Sequence, residues 1–249
     1  MFKKLFSNIS GKFTDNKEKL IEILATNAKA LEFTTKELQN DKEVVLTAVR
    51  KNGYSLKFAS EKLKNDKEIV LIALKTNCFS KNFMNKNFFA DEDVVLQLFG
   101  CGCETFDSVD ISMRANKKVV TLAVQKDGME LKYASSELRN DMEIVLNAVN
   151  NNGNSLEFAS EQLRNDRTVV KAAVSNHGAS LKYTTQELQD DKEVVLLAVE
   201  NKGLVLEFAS EELKNDFDIV HTACKSDNGQ AIYHANRVFR QNSEFQKYL

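Results

Sequence analysis

The side chains best suited to chemistry in this sequence are four cysteines and three histidines, and six of these seven fall into two loose groups. Cys78, Cys101 and Cys103 offer three thiolates, whereas a structural zinc site takes four ligands. We expect Cys78 and Cys103 to lie about 10 Å apart on adjacent helical layers, beyond the roughly 7 Å between Cα atoms that a disulfide spans. We therefore interpret the cysteines as reduced thiols and predict no metal site.

The second group, His221, Cys224 and His234, lies near the C-terminus. Partly buried histidines at a fraying end of the array explain this group better than a metal site does. His177 precedes a glycine, and we expect it to be solvated in a turn.

Catalysis has little support in the sequence. Asp107 and Asp110 are the pair of carboxylates that departs from the regular pattern described below, as an acid–base pair would. The chain has no glycine-rich phosphate loop, nucleophile elbow or HExxH helix. We therefore predict a protein without enzymatic activity and without a cofactor.

These residues are carried by a 25-residue repeat that covers nearly the whole chain. The string NDKEVVLTAV at residues 40–49 returns as NDKEIVLIAL, NDMEIVLNAV, NDRTVVKAAV, DDKEVVLLAV and NDFDIVHTAC. A second string, SLKFASEKLKN at residues 55–65, returns as ELKYASSELRN, SLEFASEQLRN and SLKYTTQELQD. The repeats share an aspartate, and most share a glycine twelve residues later: Asp41, Asp66, Asp91, Asp141, Asp166, Asp191 and Asp216, then Gly53, Gly128, Gly153, Gly178 and Gly203.

Each shared residue has an expected role in helix formation. Asp41 stands where a helix N-cap belongs, and the apolar residues after it have helical spacing. We expect Gly53 to end this helix in the left-handed conformation, and Asn65 to end the next segment in the same way. Ser60 is an expected internal cap that divides the second, shorter segment into two turns, one of them a 3-10 helix.

The repeat predicts the fold class and the domain organisation. A single repeat has too little apolar surface to fold alone, and it becomes stable when neighbours cover its second face. We therefore predict an all-α protein, an α-solenoid of about eight to nine helix–turn–helix repeats. We expect one array over residues 14–240, an amphipathic N-terminal cap over residues 1–13 and a C-terminal cap over residues 241–249.

The repeated strings also resemble a known family. The pattern LxFASxxLxNDxEVVLxAVxxNG is similar to the repeats of the domain-of-unknown-function family 4116, over nearly the whole chain. This resemblance implies a helical repeat array and carries no assigned activity. The repeat length is also similar to that of the leucine-rich variant repeat, which alternates an α-helix with a 3-10 helix. That family has a proline where Glu61 stands here.

The repeat keeps its length but loses its shared side chains over residues 76–116. Cys78 and Cys103 replace the glycine in adjacent repeats. A partner-binding aromatic surface is one interpretation of this segment, since local irregularity in a regular sequence often marks function. Repacking of a diverged repeat with bulkier residues is the other. The candidate binding residues are Phe79, Phe83, Phe88, Phe89, Phe99, Phe106 and Asp107.

One position per repeat varies in charge and is expected to be exposed: Lys57, Asn82, Asp107, Lys132, Glu157, Lys182 and Glu207. A repeat scaffold that varies one exposed row can encode a partner surface. The alternating signs from Lys132 to Glu207 can also reflect weak pairing between neighbouring repeats. The sequence leaves both interpretations open.

The composition of the chain limits the classes of partner that it is expected to bind. Thirty-four basic and 36 acidic residues leave a net charge of −2, which disfavours nucleic-acid binding. Reduced cysteines favour the cytoplasm, and the chain has neither a signal peptide pattern nor a membrane-spanning run; export as an effector stays an alternative. Residues 1–13 form an amphipathic segment that caps the first repeat or, alternatively, anchors the protein to a membrane surface.

We therefore predict a non-enzymatic scaffold that binds a protein partner through an elongated surface. A peripheral membrane scaffold held by residues 1–13 is the first alternative. An enzyme with an unrecognised site in the diverged repeats is the second.

Overall fold

The computed structural model describes residues 17–102 and 106–248 of the chain. The predictions for residues 1–13 and for Cys103 lie outside these residues. Long α-helices begin at 25-residue intervals, and the described part of the chain contains no strand. The long helices are Lys17–Thr26, Lys42–Lys51, Lys67–Thr76, Glu92–Gly100, Lys117–Lys126, Met142–Asn151, Arg167–Asn176, Lys192–Asn201 and Phe217–Ser226.

Short helical segments connect the long helices. A 3-10 helix follows directly after most of them: Ala28–Phe33, Gly53–Phe58, Cys78–Phe83, Gly128–Tyr133, Gly153–Phe158, Gly178–Tyr183, Gly203–Phe208 and Gln230–Tyr233. A second short helix then leads to the next repeat, and it is α-helical at Lys36–Gln39, Glu61–Lys64, Glu161–Arg164, Gln186–Gln189 and Val238–Gln241. It is a 3-10 helix at Lys86–Ala90, Ile111–Ala115, Leu138–Asn140 and Leu213–Asn215, and a last 3-10 turn covers Gln246–Tyr248. This division of the second segment into two turns confirms the prediction.

The chain divides into two compact units, one up to Met113 and one from Arg114 onward. Within each unit, every long helix packs against the long helix of the next repeat, and the 3-10 helices of neighbouring repeats pack in the same order. The all-α helical-repeat fold is therefore the predicted one. The single array over residues 14–240 stays a prediction.

The shared aspartates begin the long helices, as the sequence predicts. The Asp41 carboxylate accepts hydrogen bonds from the backbone N–H groups of Glu43 and Val44, both at 3.1 Å. The six equivalent aspartates also cap their own helices, five of them through two N–H groups and Asp66 through the Ile69 N–H alone. Asn116 replaces the aspartate in one repeat and still accepts from the Val119 N–H at 3.1 Å. A carboxylate or an amide oxygen therefore satisfies the otherwise unpaired first turn.

The apolar positions of the long helices form the core of each unit. Val44, Val45, Ala48 and Val49 are fully buried, and the same positions are buried in the following repeats. Leu56 of the following 3-10 helix is fully buried beside them, as are its equivalents Leu31, Leu131, Leu156, Leu181 and Leu206. The valine and alanine side chains of the long helices are β-branched or small, so they let successive helices approach closely.

The prediction for the shared glycines is wrong in its mechanism. Gly53 does not adopt a left-handed conformation; the glycines with positive φ in the described residues are Gly102 and Gly229. A Cβ atom at Gly53 would lie 1.9 Å from the backbone oxygen of Ala73 in the next long helix. The glycine is therefore required because the next helix passes directly over it.

The prediction for Asn65 is also wrong, since its φ is −106° and its ψ is 10°. Its N–H group bonds back to carbonyl oxygens of the preceding short helix, which ends that helix without a left-handed residue. The internal cap is confirmed at Ser60, whose hydroxyl accepts from the Leu63 N–H at 3.3 Å. Thr185, at the equivalent position, makes no such side-chain bond.

Asparagine side chains join neighbouring repeats at the other end of the long helices. The Asn176 amide oxygen accepts from the Gly153 N–H at 2.8 Å, and its amide nitrogen donates to the Asn150 carbonyl at 2.9 Å. Asn151 and Asn201 make the same pair of bonds to the repeats before them. One side chain thus pairs the end of a long helix with the start of a 3-10 helix, both in the preceding repeat.

Candidate interaction surfaces

A ladder of exposed charges links the first turns of successive long helices. The Lys117 ammonium lies 2.8 Å from the Asp141 carboxylate and 3.0 Å from that of Glu143, both in the next repeat. The same cation position bridges to the next aspartate and the next acid in four other repeats, through Lys17, Lys42, Lys67 and Lys192, and Arg167 makes the bridge in a fifth.

The ladder explains why acidic residues recur in this sequence. The hydrogen bond from Lys117 lowers the pKa of Asp141 below its usual value, and burial of the carboxylate only partly opposes the shift. Asp141 is therefore a structural anion that caps one helix and pairs with its neighbour. The Asp110 carboxylate shares only the capping role, since it accepts from the Ser112 N–H at 2.9 Å and from the Ser112 hydroxyl at 2.7 Å.

The ladder is interrupted in the second unit at Met142. This residue stands where the repeats before and after it have Lys117 and Arg167, and 43% of it is exposed. The acceptors in the next repeat are Asp166 and Thr168, so a second acid is missing as well. The ladder was not predicted from the sequence, although the cations directly after Asp41, Asp66, Asp166 and Asp191 could have revealed it.

The row of variable charges is exposed, as the sequence predicts. All seven of its residues have high accessibility: Lys57, Asn82, Asp107, Lys132, Glu157, Lys182 and Glu207. The aromatic residue that follows most of them, such as Tyr133 or Phe158, is half-buried. Each unit thus presents a line of variable polar groups beside a line of partly covered rings.

The first unit carries an exposed aromatic cluster, which we define as Tyr54, Phe79 and Phe83. Tyr54 is 42% exposed and Phe79 is 64% exposed, at equivalent positions of adjacent repeats. The Tyr54 ring meets the Phe83 ring edge to face, with centroids 5.0 Å apart. Tyr54 was not predicted from the sequence as a binding residue, although it lies 25 residues before Phe79 and so occupies the equivalent position of the preceding repeat.

A surface cavity of about 570 Å³ lies on the same unit and shares Lys57 and Phe58 with the surroundings of the cluster. The Lys57 ammonium is 5.9 Å from the ring centroids of both Tyr54 and Phe58, close enough for cation–π attraction. The remaining charged residues of the cavity are Glu32, Lys36, Glu61 and Lys64, and the last two form an ion pair at 2.8 Å. Lys36, Lys57 and Glu32 form no such ion pair, so the residues that line the cavity carry a net positive charge.

The structure corrects the extent of the predicted aromatic surface. Phe88 is 9% exposed, Phe99 2% and Phe106 0%, so these three rings belong to the core. Phe99 and Phe106 pack together with centroids 5.2 Å apart. Burial of these rings corresponds to the repacking alternative, because large side chains occupy positions that smaller residues fill elsewhere. Phe89 is half-buried, and Phe79 is the exposed one of the six rings.

The cysteines differ from the prediction. Cys78 is disulfide-bonded, whereas Cys101 and Cys224 form no disulfide. The interpretation of every cysteine as reduced is therefore wrong for Cys78, and the cytoplasmic location inferred from it stays a prediction. Burial, and then the nearby charge of Asp227, raises the pKa of the Cys224 thiol to about 11. This thiol is protonated at neutral pH and therefore a poor nucleophile.

The histidines have the degree of burial that the sequence predicts. His221 is half-buried and stacks on Phe217 with centroids 5.9 Å apart, while Phe245 meets the imidazole edge to face. Phe245 is fully buried and covers the last long helix. His234 is half-buried and His177 exposed. Across the described residues, no three histidine, cysteine or acidic side chains come together as a metal site would require.

The packing and the shared caps define a helical-repeat protein. A family model described as "Domain of unknown function (DUF4116)" matches residues 16–63, 41–89, 91–139, 116–164, 141–189 and 191–245. The chain therefore belongs to the DUF4116 family. Comparison with curated proteins and with solved structures gives no match. None of the described helices has the length and apolar character needed to cross a bilayer.

Proposed function

We propose that this protein is a non-enzymatic scaffold that binds a protein partner. The observation that carries the proposal is the exposed aromatic cluster. In the described part of the first unit, the other exposed large apolar side chain is Ile111, which is 71% exposed and is not aromatic. Rigid aromatic side chains at the surface are the usual anchors of protein interfaces, since they bury much area at little cost in side-chain entropy.

The cluster is held in place before any partner binds. The Phe83 ring supports Tyr54 from the side, and the Asn77 amide oxygen accepts from the Phe79 N–H at 3.0 Å. The Asn77 amide nitrogen also donates to the Asn52 amide oxygen at 3.2 Å. Preorganised side chains lose less freedom on binding, which favours affinity.

The charge beside the cluster indicates the chemistry of the partner. Lys57 and Lys36 are exposed, and of the acids that line the cavity only Glu32 is left without an ion pair. The partner is therefore a peptide segment that places an aromatic or aliphatic side chain on Tyr54 and Phe79, and a carboxylate near Lys57. Such a segment combines an apolar anchor with a charged group that fixes its direction.

Selection from a displayed random peptide library against the full chain tests this function. We expect enrichment of peptides with an aromatic or aliphatic residue close to Asp or Glu. Binding of a selected peptide, measured by fluorescence anisotropy, is expected to weaken by about 10-fold or more in the Tyr54→Ala/Phe79→Ala variant, since each tenfold corresponds to 1.4 kcal/mol. Lys57→Glu is expected to weaken binding and to reduce its salt dependence.

Met142→Ala is the matched control, since Met142 is an apolar side chain of similar exposure in the other unit. This variant should bind the selected peptides as the unmodified protein does. Failure to enrich any peptide, or equal binding by the double variant and the control, would contradict the proposed site.

A further inference from the structure

The exposed row of the second unit has an unusual order of charges. Along four successive repeats it reads Lys132, Glu157, Lys182 and Glu207, all of them exposed. In the described part of the unit, none of these four side chains forms an ion pair with a neighbour. The Tyr183 side chain holds the Lys182 ammonium, and the charge of Glu157 in the preceding repeat adds a weaker attraction. All four charges are exposed and are therefore available to a partner surface.

Two of these charges are held in defined positions. The Lys132 ammonium lies 4.5 Å from the centroid of the Tyr133 ring, and the Lys182 ammonium lies 4.6 Å from that of Tyr183. Both rings are half-buried, so they orient the lysines without withdrawing them from the surface.

Apolar groups lie along the same edge. Residues three apart in a 3-10 helix eclipse each other, so Met129 lies beside Lys132 and Leu204 beside Glu207. Met129 and Leu204 are half-buried and can be covered further by a partner. The strip therefore combines a line of charges with apolar surface, as the rim and core of an interface do.

The row is complementary to its own reverse. When the order Lys–Glu–Lys–Glu is turned end to end, every lysine meets a glutamate. We propose that the second unit binds a second copy of this chain through this strip, in an antiparallel, two-fold symmetric arrangement. Lys132 of each copy then faces Glu207 of the other, and Glu157 faces Lys182. A two-fold axis requires such a self-complementary patch.

Charge also selects the register of this dimer. A shift of one repeat in the antiparallel arrangement brings like charges together, and an unshifted parallel arrangement opposes lysine to lysine and glutamate to glutamate. The unshifted antiparallel arrangement is the one in which all four charges of each copy are paired. With repeats about 8–10 Å apart, the strip is roughly 25–30 Å long, which suits a patch of about 800 Å² per partner.

Charge reversal in the full chain tests the proposal. Lys132→Glu/Lys182→Glu makes the row wholly acidic, and Glu157→Lys/Glu207→Lys makes it wholly basic. Sedimentation equilibrium should show a salt-sensitive dimer for the unmodified protein and monomers for each variant alone. An equimolar mixture of the two variants should form a dimer again, since acidic rows then face basic ones. This restoration also shows that both variants are folded.

Lys202→Glu/Lys225→Glu is the matched control, because it reverses two exposed lysines of the same unit outside the row. This control should dimerise as the unmodified protein does. A monomeric unmodified protein overturns the proposal and leaves the strip for a different partner. A dimer that survives both reversals, or variants that stay monomeric when mixed, overturns it as well. Dimerisation through the strip does not involve the aromatic cluster. A failure of this proposal can therefore be distinguished from a failure of the proposed function.

Discussion

At the scale of single residues, one carboxylate has two structural roles in most repeats. Asp141 caps its own helix through two backbone N–H groups, and it pairs with Lys117 of the preceding repeat. The first role is local and was visible in the sequence as a cap motif. The second role depends on how neighbouring repeats are placed, and the cap motif alone does not reveal that placement.

These two roles can be separated by replacing Asp141 with asparagine, which keeps the cap and removes the charge. Because folding lowers the pKa of Asp141, its contribution is fully present above the unfolded value of about 4 and is lost as the pH falls through the lower folded value. Asp141→Asn should therefore cost less than about 1 kcal/mol at pH 7, because the pair is exposed. This cost should disappear in acid.

Urea denaturation between neutral and acidic pH measures the effect. Asp141→Ala is the companion variant, since it also loses the cap and should cost a further 0.5–2 kcal/mol or so at every pH. A loss for Asp141→Asn that stays constant across the pH range would show that the ion pair does not stabilise the fold.

Gly53 shows how a residue can be predicted correctly for the wrong reason. Gly53 follows the helix at a position where a left-handed residue is common, and this conformation was the predicted reason for the glycine. The structure instead places the carbonyl of Ala73 where a side chain would begin. Only the position of the next repeat reveals this requirement.

We expect Gly53→Ala to destabilise the protein by roughly 1–3 kcal/mol, since the Ala73 backbone cannot move without repacking its helix. Gly100→Ala is the matched control, because a Cβ atom there meets nothing within 4 Å. This control should be neutral or stabilising by up to about 1 kcal/mol. The midpoint temperatures of unfolding of the two variants are compared by circular dichroism. An equal change in both variants would refute the steric explanation.

At the scale of elements, polar groups join neighbouring repeats at the first turn of most long helices and, in the second unit, also at the last turn of several. The cation ladder links the first turns, and the asparagines link the last turns to the preceding repeat. Ion pairs at such exposed sites contribute little singly. Together they fix how one helix lies on the next, which apolar contacts alone leave less defined.

The gap at Met142 allows the ladder to be completed by design. Met142→Lys should place an ammonium near Asp166 and stabilise the protein by about 0.2–1 kcal/mol in low salt. Met142→Lys/Thr168→Glu should add a second acceptor and a further small gain. Met142→Gln controls for removal of the exposed apolar side chain. The free energy of unfolding of each variant is measured in low and in high salt. A gain in stability that persists unchanged in high salt would not be electrostatic.

Much of this element-level structure could be predicted from the sequence, and the failures have a common cause. Long helices, aspartate caps, the Ser60 cap and the exposed charged row follow from local spacing. The burial of Phe88, Phe99 and Phe106 and the disulfide at Cys78 depend on how neighbouring segments meet. Spacing along the chain does not reveal which face of a diverged repeat turns inward.

At the scale of the whole molecule, stability comes from contact between neighbouring repeats. Each long helix buries its apolar side against the helices before and after it within its unit. A repeat alone would leave half of this surface in water, and so it would not stay folded. The regular 25-residue step is therefore the feature on which the architecture depends.

Removal of a segment from the full chain tests this dependence most directly. Deletion of residues 142–166 takes out one complete repeat and joins Asp141 to Arg167, which restores a capped helix in register. Deletion of residues 142–153 removes about half a repeat and brings unlike surfaces together. Circular dichroism during urea denaturation should show native helicity per residue and one cooperative transition for the first deletion, and a large loss of helicity for the second. If the two deletions behave alike, the account of mutually supporting repeats is contradicted.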